Sequence, residues 1–493
     1  MFKKILCGVI MATLLLAPQL VWAGSDLEEV ELIWYYPGPY PQQDADMVYE
    51  EINKILKEKI NATVDFRAQN WGDYEDRIRL VIASGENYDL CFTANWFNNY
   101  LQNVSKGAFL PLDDLIDEYA PGLKALVPTA MWDATRVQGK IYGLINYQIS
   151  CMTNGAYFKK ELVDKYGFDV TTVKEMEDLE PFLALIKEYD PDIYPTGIVS
   201  SGGGNWAGWI THFGFDEVVG RDLPGAVYID DIGAIPTAIN QYKTDEFKKF
   251  AGTVAEWFQK GYVRSDALAI TDAQPMTKAG LMGVWFGGNV KPGGDAEHLA
   301  AHGYEMIQHP ISDPILKTSS IISTMYGINL NSKNPERAMM FMELLNTDVE
   351  LYNLLCFGIE GVHYNKVGEN QIELVEGSGY VPNTAWLFGC QFNAYFLPGQ
   401  ADTLWEETHA LNMSAKPSPL LGFAFDPVPI KTEIAQCQAV CDEYMRTLDT
   451  GSSGADWEAT LAEFTAKLDE AGAERIISEI NTQLKLWKLL ELL

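Results

Sequence analysis

Several tryptophans of this 493-residue chain stand beside glycine or amide side chains instead of within helical apolar patterns. A sugar ring has an apolar C–H face and a rim of hydroxyls, so a site for it needs flat aromatic surfaces with amide or carboxylate partners. Four places offer this combination: Asn95 with Trp96, Asn205 with Trp206, Trp285 with Asn289, and Trp386 with Gln391 and Asn393. The alternative for each tryptophan is a core position with a satisfied indole N–H.

Acidic side chains near these positions could accept hydrogen bonds from vicinal hydroxyls, or pair with an amine on a ligand. The candidates are Glu75, Asp76, Asp89 and Glu360. The alternative for each is a surface or helix-capping carboxylate. From all these candidates we predict one ligand-binding set, which consists of Tyr36, Asn95, Trp96, Trp206, Trp285, Glu360, Trp386 and Gln391.

Two patterns look like cofactor or metal motifs but lack an essential part. Gly202, Gly204 and Ala207 match the dinucleotide pattern GxGxxG/A, yet no clear helix follows, and a flexible ligand-side loop is the alternative. His298 and His302 have the spacing of two metal ligands on one helical face, but the glutamate of HExxH is missing. We therefore predict no metal, no cofactor and no catalytic residues. A paired-carboxylate glycosidase stays open, because its acids come from distant strands.

The first 23 residues predict an export signal. Two lysines precede an apolar core over residues 5–17, and Ala23 ends a small-residue cleavage site. The core is too short to span a bilayer as a helix, and the only early cysteine, Cys7, lies inside it. We therefore expect an exported protein without a lipid anchor, in the periplasm or outside the cell.

The net charge limits the classes of partner, and the cysteine content bears on possible disulfides. The formal net charge is −32 at pH 7, and a surface this acidic repels phosphate backbones and anionic lipids, so we expect no nucleic-acid partner. Six of the seven cysteines remain after signal removal. Some could form disulfides in an oxidising compartment, but a core of this size does not need them, so buried thiols are the alternative.

The start of the exported chain predicts an α/β unit that could position these residues. Strands are predicted over residues 31–36, around Val64 and Phe66, and over residues 88–92, with helices over residues 44–59 and 74–83 between them. This alternation implies right-handed crossovers and a largely parallel sheet. Ligands bind beyond the carboxyl ends of such strands, so the loops after Tyr36 and Phe92 are the places to look.

Two later segments resemble a known family. Residues 334–364 read NPERAMMFMELLNTDVELYNLLCFGIEGVHY and predict a helix from Pro335, a second helix from about Val349, and a break at Gly358. Residues 421–444 read LGFAFDPVPIKTEIAQCQAVCDEY. In this order the two segments resemble the extracellular solute-binding proteins of ABC importers, the maltose-binding-like family 1, and most closely its lipoprotein LplA-like subgroup.

The resemblance implies an α/β, two-lobed periplasmic-binding-protein fold of type II, hinged, with a ligand cleft between the lobes. We predict a signal peptide over residues 1–23, lobe 1 over residues 24–148 with 310–357, and lobe 2 over residues 149–309 with 358–493. Glu360 then lies in a segment beside a hinge.

The function implied is capture of a carbohydrate, in particular an oligosaccharide, by lobe closure and its delivery to the transmembrane subunits of an ABC permease, by a monomer. Within transport, the alternative ligand is a peptide or another amine-bearing solute. Two further classes stay open: a secreted carbohydrate-active enzyme, and a sensory binding subunit that reports to a membrane receptor.

Overall fold

The computed structural model describes residues 27–200, 206–220, 222–231, 233–270 and 273–491, so the predicted export signal lies outside the described residues. The chain divides into two units, which we call the first and second lobes. The first lobe contains the described residues up to Gln148 and those of Ile321–Pro398. The second lobe contains the described residues of Ile149–Ser320 and those from Gly399 onward.

The strands are β1 Val30–Gly38, β2 Ala62–Asn70, β3 Leu90–Thr93, β4 Arg136–Val137, β5 Lys140–Ile141, β6 Leu144–Ile145, β7 Cys151–Met152, β8 Asn154–Lys159, β9 Tyr194–Thr196, β10 Phe215–Glu217, β11 Ala226–Tyr228, β12 Met282–Asn289, β13 Met306–Pro310, β14 Ile315–Leu316, β15 Met325–Ile328, β16 Tyr364–Lys366, β17 Ile372–Leu374 and β18 Lys416–Pro417.

The α-helices are α1 Ala45–Ile60, α2 Trp71–Ser84, α3 Tyr100–Ser105, α4 Asp113–Tyr119, α5 Pro121–Leu126, α6 Thr129–Ala134, α7 Lys160–Tyr166, α8 Glu180–Tyr189, α9 Trp206–Trp209, α10 Asp245–Lys260, α11 Gln274–Lys278, α12 Gly294–His302, α13 Thr318–Ile321, α14 Pro335–Thr347, α15 Val349–Phe357, α16 Leu404–Ser414, α17 Lys431–Thr450, α18 Trp457–Glu470 and α19 Ala473–Glu491.

The later boundaries of the lobes differ from the prediction. The prediction starts the returning segments at residues 310 and 358, whereas the structure starts them at Ile321 and Gly399. Residues just after 310 belong to the second lobe because β14 pairs with β7 there. Residues after 358 stay with the first lobe because the Tyr380 hydroxyl donates to the carbonyl oxygen of Leu355 at 2.7 Å.

The first lobe is built on a five-stranded sheet with the order β2-β1-β3-β15-β6. Strand β1 runs parallel to both β2 and β3, while β15 runs antiparallel to β3. Helices α1 and α2 make the crossovers, as the alternating pattern predicts. Helix α2 ends at Gly85, whose φ of 68° is the left-handed conformation that glycine adopts without strain. The carboxyl ends of β1, β2 and β3 therefore lie at one edge of the sheet.

The two helices predicted from Pro335 and Val349 are present as α14 and α15. Pro335 occupies the first turn of α14, where no amide donor is needed. Asp348 separates the two helices, and its carboxylate accepts hydrogen bonds from the amides of Glu350 and Leu351, both at 3.1 Å. This capping bond starts the second helix within two residues of the end of the first.

The second lobe has a four-stranded sheet with the order β13-β8-β12-β9. Its core also takes residues from the C-terminal helices α17, α18 and α19. In α19 the buried side chains are Ala473, Ile476, Ile480 and Leu484, which are three or four residues apart along one helix face. In the described part of the chain, no helix combines the length and the apolar character that a bilayer crossing requires.

Candidate functional site

Four aromatic rings converge where two parallel strands of the first-lobe sheet end. Strand β2 ends at Asn70 and Trp71 begins α2 directly, while Trp96 and Phe97 follow the end of β3. The centroid of the Trp71 ring lies 6.3 Å from Trp96, 6.0 Å from Phe97 and 5.8 Å from Trp386. We call Trp71, Trp96, Phe97 and Trp386 the aromatic platform.

Trp96 is the most exposed member of the aromatic platform. Its side chain is 52% exposed, and its ring lies nearly parallel to Phe97, at 5.3 Å and 14°. The indole N–H donates to the carbonyl oxygen of Ser323 at 2.8 Å, so the ring orientation is fixed although the face is open. The turn is closed by the Ala94 amide, which donates to Phe97. An exposed, oriented indole face is the kind of surface that stacks on a flat apolar ligand face.

Hydrogen bonds from side chains to the backbone of Trp386 and Leu387 hold Trp386 beside Trp71. The planes of the two rings differ by 13°. The side-chain amide of Gln148 donates to the carbonyl oxygen of Trp386 at 3.1 Å and to the Thr324 hydroxyl at 2.6 Å. Asn146 donates to the next carbonyl, that of Leu387, at 2.6 Å. Thr324 is buried, whereas Gln148 is half-buried and brings a side-chain amide to the Trp386 end of the platform.

The acidic candidates have structural partners. Glu75 and Asp76 lie on α2 and form surface ion pairs with Arg79 at 3.7 and 3.5 Å. Asp89 is buried, and its carboxylate accepts the Ile33 amide at 2.8 Å. Glu360 is exposed and lies 3.6 Å from Lys366. These contacts fit the alternative of surface or structural carboxylates for each residue.

Two aromatic residues that were predicted to bind the ligand lie in the lobe cores, so these two predictions are corrected. Tyr36 is fully buried in the first lobe, and its hydroxyl is 2.8 Å from that of Tyr49. Trp206 is fully buried in the second lobe, with its ring 4.9 Å from Phe247 and 5.4 Å from Phe250. Neither ring offers a face to a ligand. Asn205 and the preceding glycines of the predicted loop lie outside the described residues.

Trp285 is half-buried on the second-lobe sheet, in a different ring cluster. Its ring lies 5.7 Å from Tyr157 and 6.4 Å from His298. Burial, with a smaller contribution from the charge of His302, lowers the pKa of His298 to about 4, so the imidazole is neutral at pH 7. The side chain of Asn289, the predicted partner of Trp285, lies outside the described residues.

Asn95 and Gln391 are half-buried in the first lobe. The backbone amide of Asn95 donates to the carbonyl oxygen of Ile322 at 3.0 Å. Asn95 lies in the same turn as Trp96. The Gln391 amide donates to the carbonyl oxygen of Tyr147 at 2.8 Å. Of the predicted set, the structure therefore brings Asn95, Trp96 and Trp386 together.

The sequence prediction omits two platform residues, Phe97, which directly follows Trp96, and Trp71. The prediction starts the second helix at Tyr74 and inspects only the loops after the first and third strands. In the structure β2 continues to Asn70, whose side chain caps α2 by accepting the Asp73 amide at 3.1 Å. The signal was available, because Asn followed three residues later by Asp is a helix-start pattern and Trp71 stands at its first helical position.

Comparison with known proteins gives consistent similarities. The sequence profile of the bacterial extracellular solute-binding proteins matches residues 44–350, and that of a domain of unknown function matches residues 419–489. A carbohydrate ABC transporter substrate-binding protein of Streptococcus pneumoniae is 30% identical over 461 residues, which are 91% of this chain and 89% of that protein.

Solved structures agree over nearly the whole chain. The crystal structure of an N-glycan transport solute-binding protein from Streptococcus pneumoniae has a TM-score of 0.83 at 27% identity, over 94% of this chain and 99% of that chain. The same protein in complex with Man5GlcNAc has a TM-score of 0.68 over the same shares. These similarities confirm the predicted two-lobed α/β class.

Proposed function

We propose that this chain, which belongs to the bacterial extracellular solute-binding proteins, captures an oligosaccharide outside the cytoplasmic membrane and delivers it to an ABC permease. The single observation that supports the ligand class best is the aromatic platform of the first lobe. It combines an exposed indole face at Trp96 with the half-buried side-chain amide of Gln148. A relative of known structure binds a mannose- and N-acetylglucosamine-containing glycan, so a neutral glycan of this kind is the ligand we infer.

The shape of the platform suits more than one sugar unit. The ring centroid of Trp71 lies about one ring width from that of Trp96, at 6.3 Å, and from that of Trp386, at 5.8 Å. A pyranose is roughly as wide as an indole, so neighbouring sugar units could each contact a different ring. Because the rings carry no charge, they bind through apolar faces and discriminate by shape, while the nearby amide of Gln148 supplies direction.

The proposal is tested by isothermal titration calorimetry of the mature chain, from Gly24, with neutral mannose- and N-acetylglucosamine-containing oligosaccharides. We expect Trp96→Ala to weaken binding by about tenfold, which corresponds to about 1.4 kcal/mol. Trp71→Ala and Trp386→Ala should weaken it as well, because each removes one neighbouring ring. Unchanged affinity in all three variants would show that the platform is not part of the binding site.

Leu80→Ala is the matched control. Leu80 lies on α2, the helix that begins with Trp71, and it is an exposed apolar side chain. Its removal should leave glycan affinity unchanged. If Leu80→Ala and Trp96→Ala weaken binding equally, the loss reflects a change in the lobe and not a contact with the ligand. Short peptides are titrated in parallel, because binding of peptides alone would keep a transport role but replace the ligand class.

We infer further that the chain binds its glycan without hydrolysing it. The candidate acids between Trp71 and Trp96 in the sequence, Glu75, Asp76 and Asp89, are engaged in ion pairs or backbone hydrogen bonds. A hydrolase of the usual kind would need two carboxyl groups free to act on one glycosidic bond. Prolonged incubation with the glycan should therefore produce no new reducing ends.

We also infer that the exported form carries no lipid, which mass spectrometry of the protein from its host would test.

A further inference from the structure

The turn that carries Trp386 is held through its main chain by three side chains. Residues 385–387 form a single short turn that belongs to no strand. Three consecutive carbonyl oxygens accept hydrogen bonds: that of Ala385 from the Tyr352 hydroxyl at 2.7 Å, that of Trp386 from the Gln148 side-chain amide at 3.1 Å, and that of Leu387 from the Asn146 side-chain amide at 2.6 Å. Side-chain donors therefore hold this turn in the way that a neighbouring strand holds a strand in a sheet.

Two of these bonds fix the peptide units on either side of the Trp386 α-carbon. The carbonyl group of Ala385 belongs to the peptide unit before Trp386, and the carbonyl group of Trp386 belongs to the unit after it. Because a peptide unit is planar, fixing both units leaves little freedom in the φ and ψ angles of Trp386. These angles set the direction of the Cα–Cβ bond. The two donors therefore aim the indole at Trp71, whose ring it meets at 5.8 Å and 13°.

Tyr352 is the donor of this pair that lies out of reach of a ligand. It is fully buried on α15, whereas Gln148 is half-buried and open to a bound sugar. Burial raises the pKa of the Tyr352 hydroxyl well above its ordinary value, with a smaller contribution from the neighbouring Cys356 thiol. The hydroxyl is therefore protonated at neutral pH and acts as a donor. Any effect of Tyr352 on ligand binding must pass through the turn that it holds.

The next residue of α15 anchors the far end of the same segment. The side-chain amide of the buried Asn353 donates to the carbonyl oxygen of Asn393 at 2.8 Å, and its side-chain oxygen accepts the Tyr395 amide at 2.9 Å. Between the two ends, a Cβ atom on Gly389 would lie 2.6 Å from the carbonyl oxygen of Leu345, so the segment runs directly against α14. Loss of the tyrosine bond should therefore loosen the turn without releasing the rest of the segment.

We propose that Tyr352 is a positioning residue for glycan binding, whose hydroxyl holds the turn so that the Trp386 ring is oriented before a sugar arrives. This inference rests on the proposed function of the aromatic platform. A ring that already has its bound orientation loses less conformational entropy when a ligand binds. An indole on a loosened turn should bind the same sugar face more weakly, although every atom that contacts the ligand is still present.

The test is a double-mutant cycle of Tyr352→Phe and Trp386→Ala, measured by calorimetry of the mature chain with neutral mannose- and N-acetylglucosamine-containing oligosaccharides. Tyr352→Phe alone should weaken binding by about fivefold, because it removes only the positioning bond. In the Trp386→Ala background the same substitution should change the affinity by less than about twofold, since no ring is left to position. Equal weakening in both backgrounds, or none in either, would overturn the proposal.

Tyr380→Phe is the matched control. Tyr380 is also fully buried in the first lobe, and its hydroxyl donates to another carbonyl oxygen of α15, that of Leu355, also at 2.7 Å. The two variants lose the same group from similar surroundings, so urea denaturation should show similar losses of stability. Only Tyr352→Phe should weaken glycan binding. Equal weakening by both variants would indicate a general loosening of the lobe and would also overturn the proposal.

A measurement without ligand separates this inference from the proposed function. The mature chain is labelled with 5-fluorotryptophan, and each fluorine NMR resonance is assigned as the one lost when that tryptophan is replaced by alanine. Tyr352→Phe should shift or broaden the Trp386 resonance and leave that of Trp285 unchanged, while Tyr380→Phe should change neither. If wild type binds no glycan and the Trp386 resonance still responds, the proposed function fails and the positioning of the ring stands. An unchanged Trp386 resonance in Tyr352→Phe would overturn the positioning whatever the titrations give.

Discussion

Trp96 and Trp206 follow an asparagine in the same way in the sequence, yet they occupy opposite environments in the two lobes. Trp96 is 52% exposed at the end of a first-lobe strand, while Trp206 is fully buried in the second-lobe core. The difference comes from the elements that follow. Trp96 lies in a turn at the edge of a sheet, whereas Trp206 begins a short helix that packs on Phe247 and Phe250 of α10. An Asn-Trp pair therefore does not by itself indicate a ligand-facing ring.

The largest effect should come from removing the buried indole. Trp206→Ala should lower the free energy of unfolding of the second lobe by about 3–5 kcal/mol, because it removes a large side chain and leaves a cavity. Trp96→Ala should cost about 1 kcal/mol or less in the first lobe, because its ring is already half in water. Urea denaturation followed by circular dichroism measures both. Equal losses in the two variants would contradict the comparison.

Buried cations provide a second contrast between the lobes. In the second lobe Lys317 lies 3.3 Å from Asp216, and both are buried. In the first lobe the guanidinium of Arg337 donates only to carbonyl oxygens, those of Glu28, Ile60 and Asn61. Lys317→Met should cost about 3 kcal/mol or more, since it leaves a buried carboxylate without its cation.

Arg337→Met should cost less than Lys317→Met, about 1–3 kcal/mol, because it leaves carbonyl groups short of a donor but no charge. The double variant Lys317→Met/Asp216→Asn is the control and should recover part of the loss of Lys317→Met. Denaturant midpoints at pH 7 give the comparison. A greater loss of stability for Arg337→Met than for Lys317→Met would contradict the expected order.

Two carboxyl groups should give smaller effects of opposite sign with pH. Glu343 of the first lobe accepts the amides of Gly122 and Leu123 at 2.8 and 2.7 Å. Asp178 of the second lobe accepts the amides of Lys174 and Glu175 at 2.8 and 2.9 Å. Burial raises the pKa of Glu343 in spite of its bonds, whereas the bonds lower the pKa of the exposed Asp178.

The raised pKa of Glu343 means that its stabilising contribution is present below its ordinary pKa and is lost as pH rises through the folded-state value. The lowered pKa of Asp178 means the reverse, with stability lost as pH falls through its folded-state value. Relative to wild type, Glu343→Gln should therefore lose more stability at about pH 4 than at about pH 7, and Asp178→Asn more at about pH 7. The free energy of unfolding of wild type and both variants is measured at the two pH values. If the stability loss changed with pH in the same direction for both variants, the argument would be contradicted.

The smallest expected effect is that of a reducing agent. The six described cysteines, three in each lobe, are buried thiols. Burial raises the pKa of the Cys437 thiol to about 11, so few thiolates form at neutral pH. A thiol reagent should react with none of the six in the native protein and with all six after unfolding, and dithiothreitol should leave the melting temperature unchanged. A count of four after unfolding would indicate a disulfide.

The sequence predicted the regular elements of the first lobe well because their signals are local. The helix predicted over residues 44–59 is present as α1, which buries Val48, Ile52 and Leu56 on one face, and Pro335 marks the start of α14. The platform was only half predictable. Trp96 stands after a strand that is easily recognised, but Trp386 comes from a distant segment, and its contact with Trp71 depends on hydrogen bonds such as that from Gln148.

The late boundaries of the lobes and the burial of Trp206 could not be predicted, for the same physical reason. Both depend on contacts between residues far apart in the chain, such as the bond between Tyr380 and Leu355 or the packing of α9 on α10. Composition near Trp206 suggested a loop, because glycine and asparagine precede it. Periodicity describes one element at a time, so it does not report which other element will cover that element.

The close spacing of Trp71, Trp96 and Trp386 has an optical consequence. Indoles whose centroids lie 5.8 and 6.3 Å apart can couple their electronic transitions, so the platform should contribute its own bands to the far-ultraviolet circular dichroism spectrum. Those bands overlap the region used to measure helix content. A ligand lying on the rings would change the spectrum without changing the backbone, and an apparent gain or loss of helix on titration would be a signal from the tryptophans.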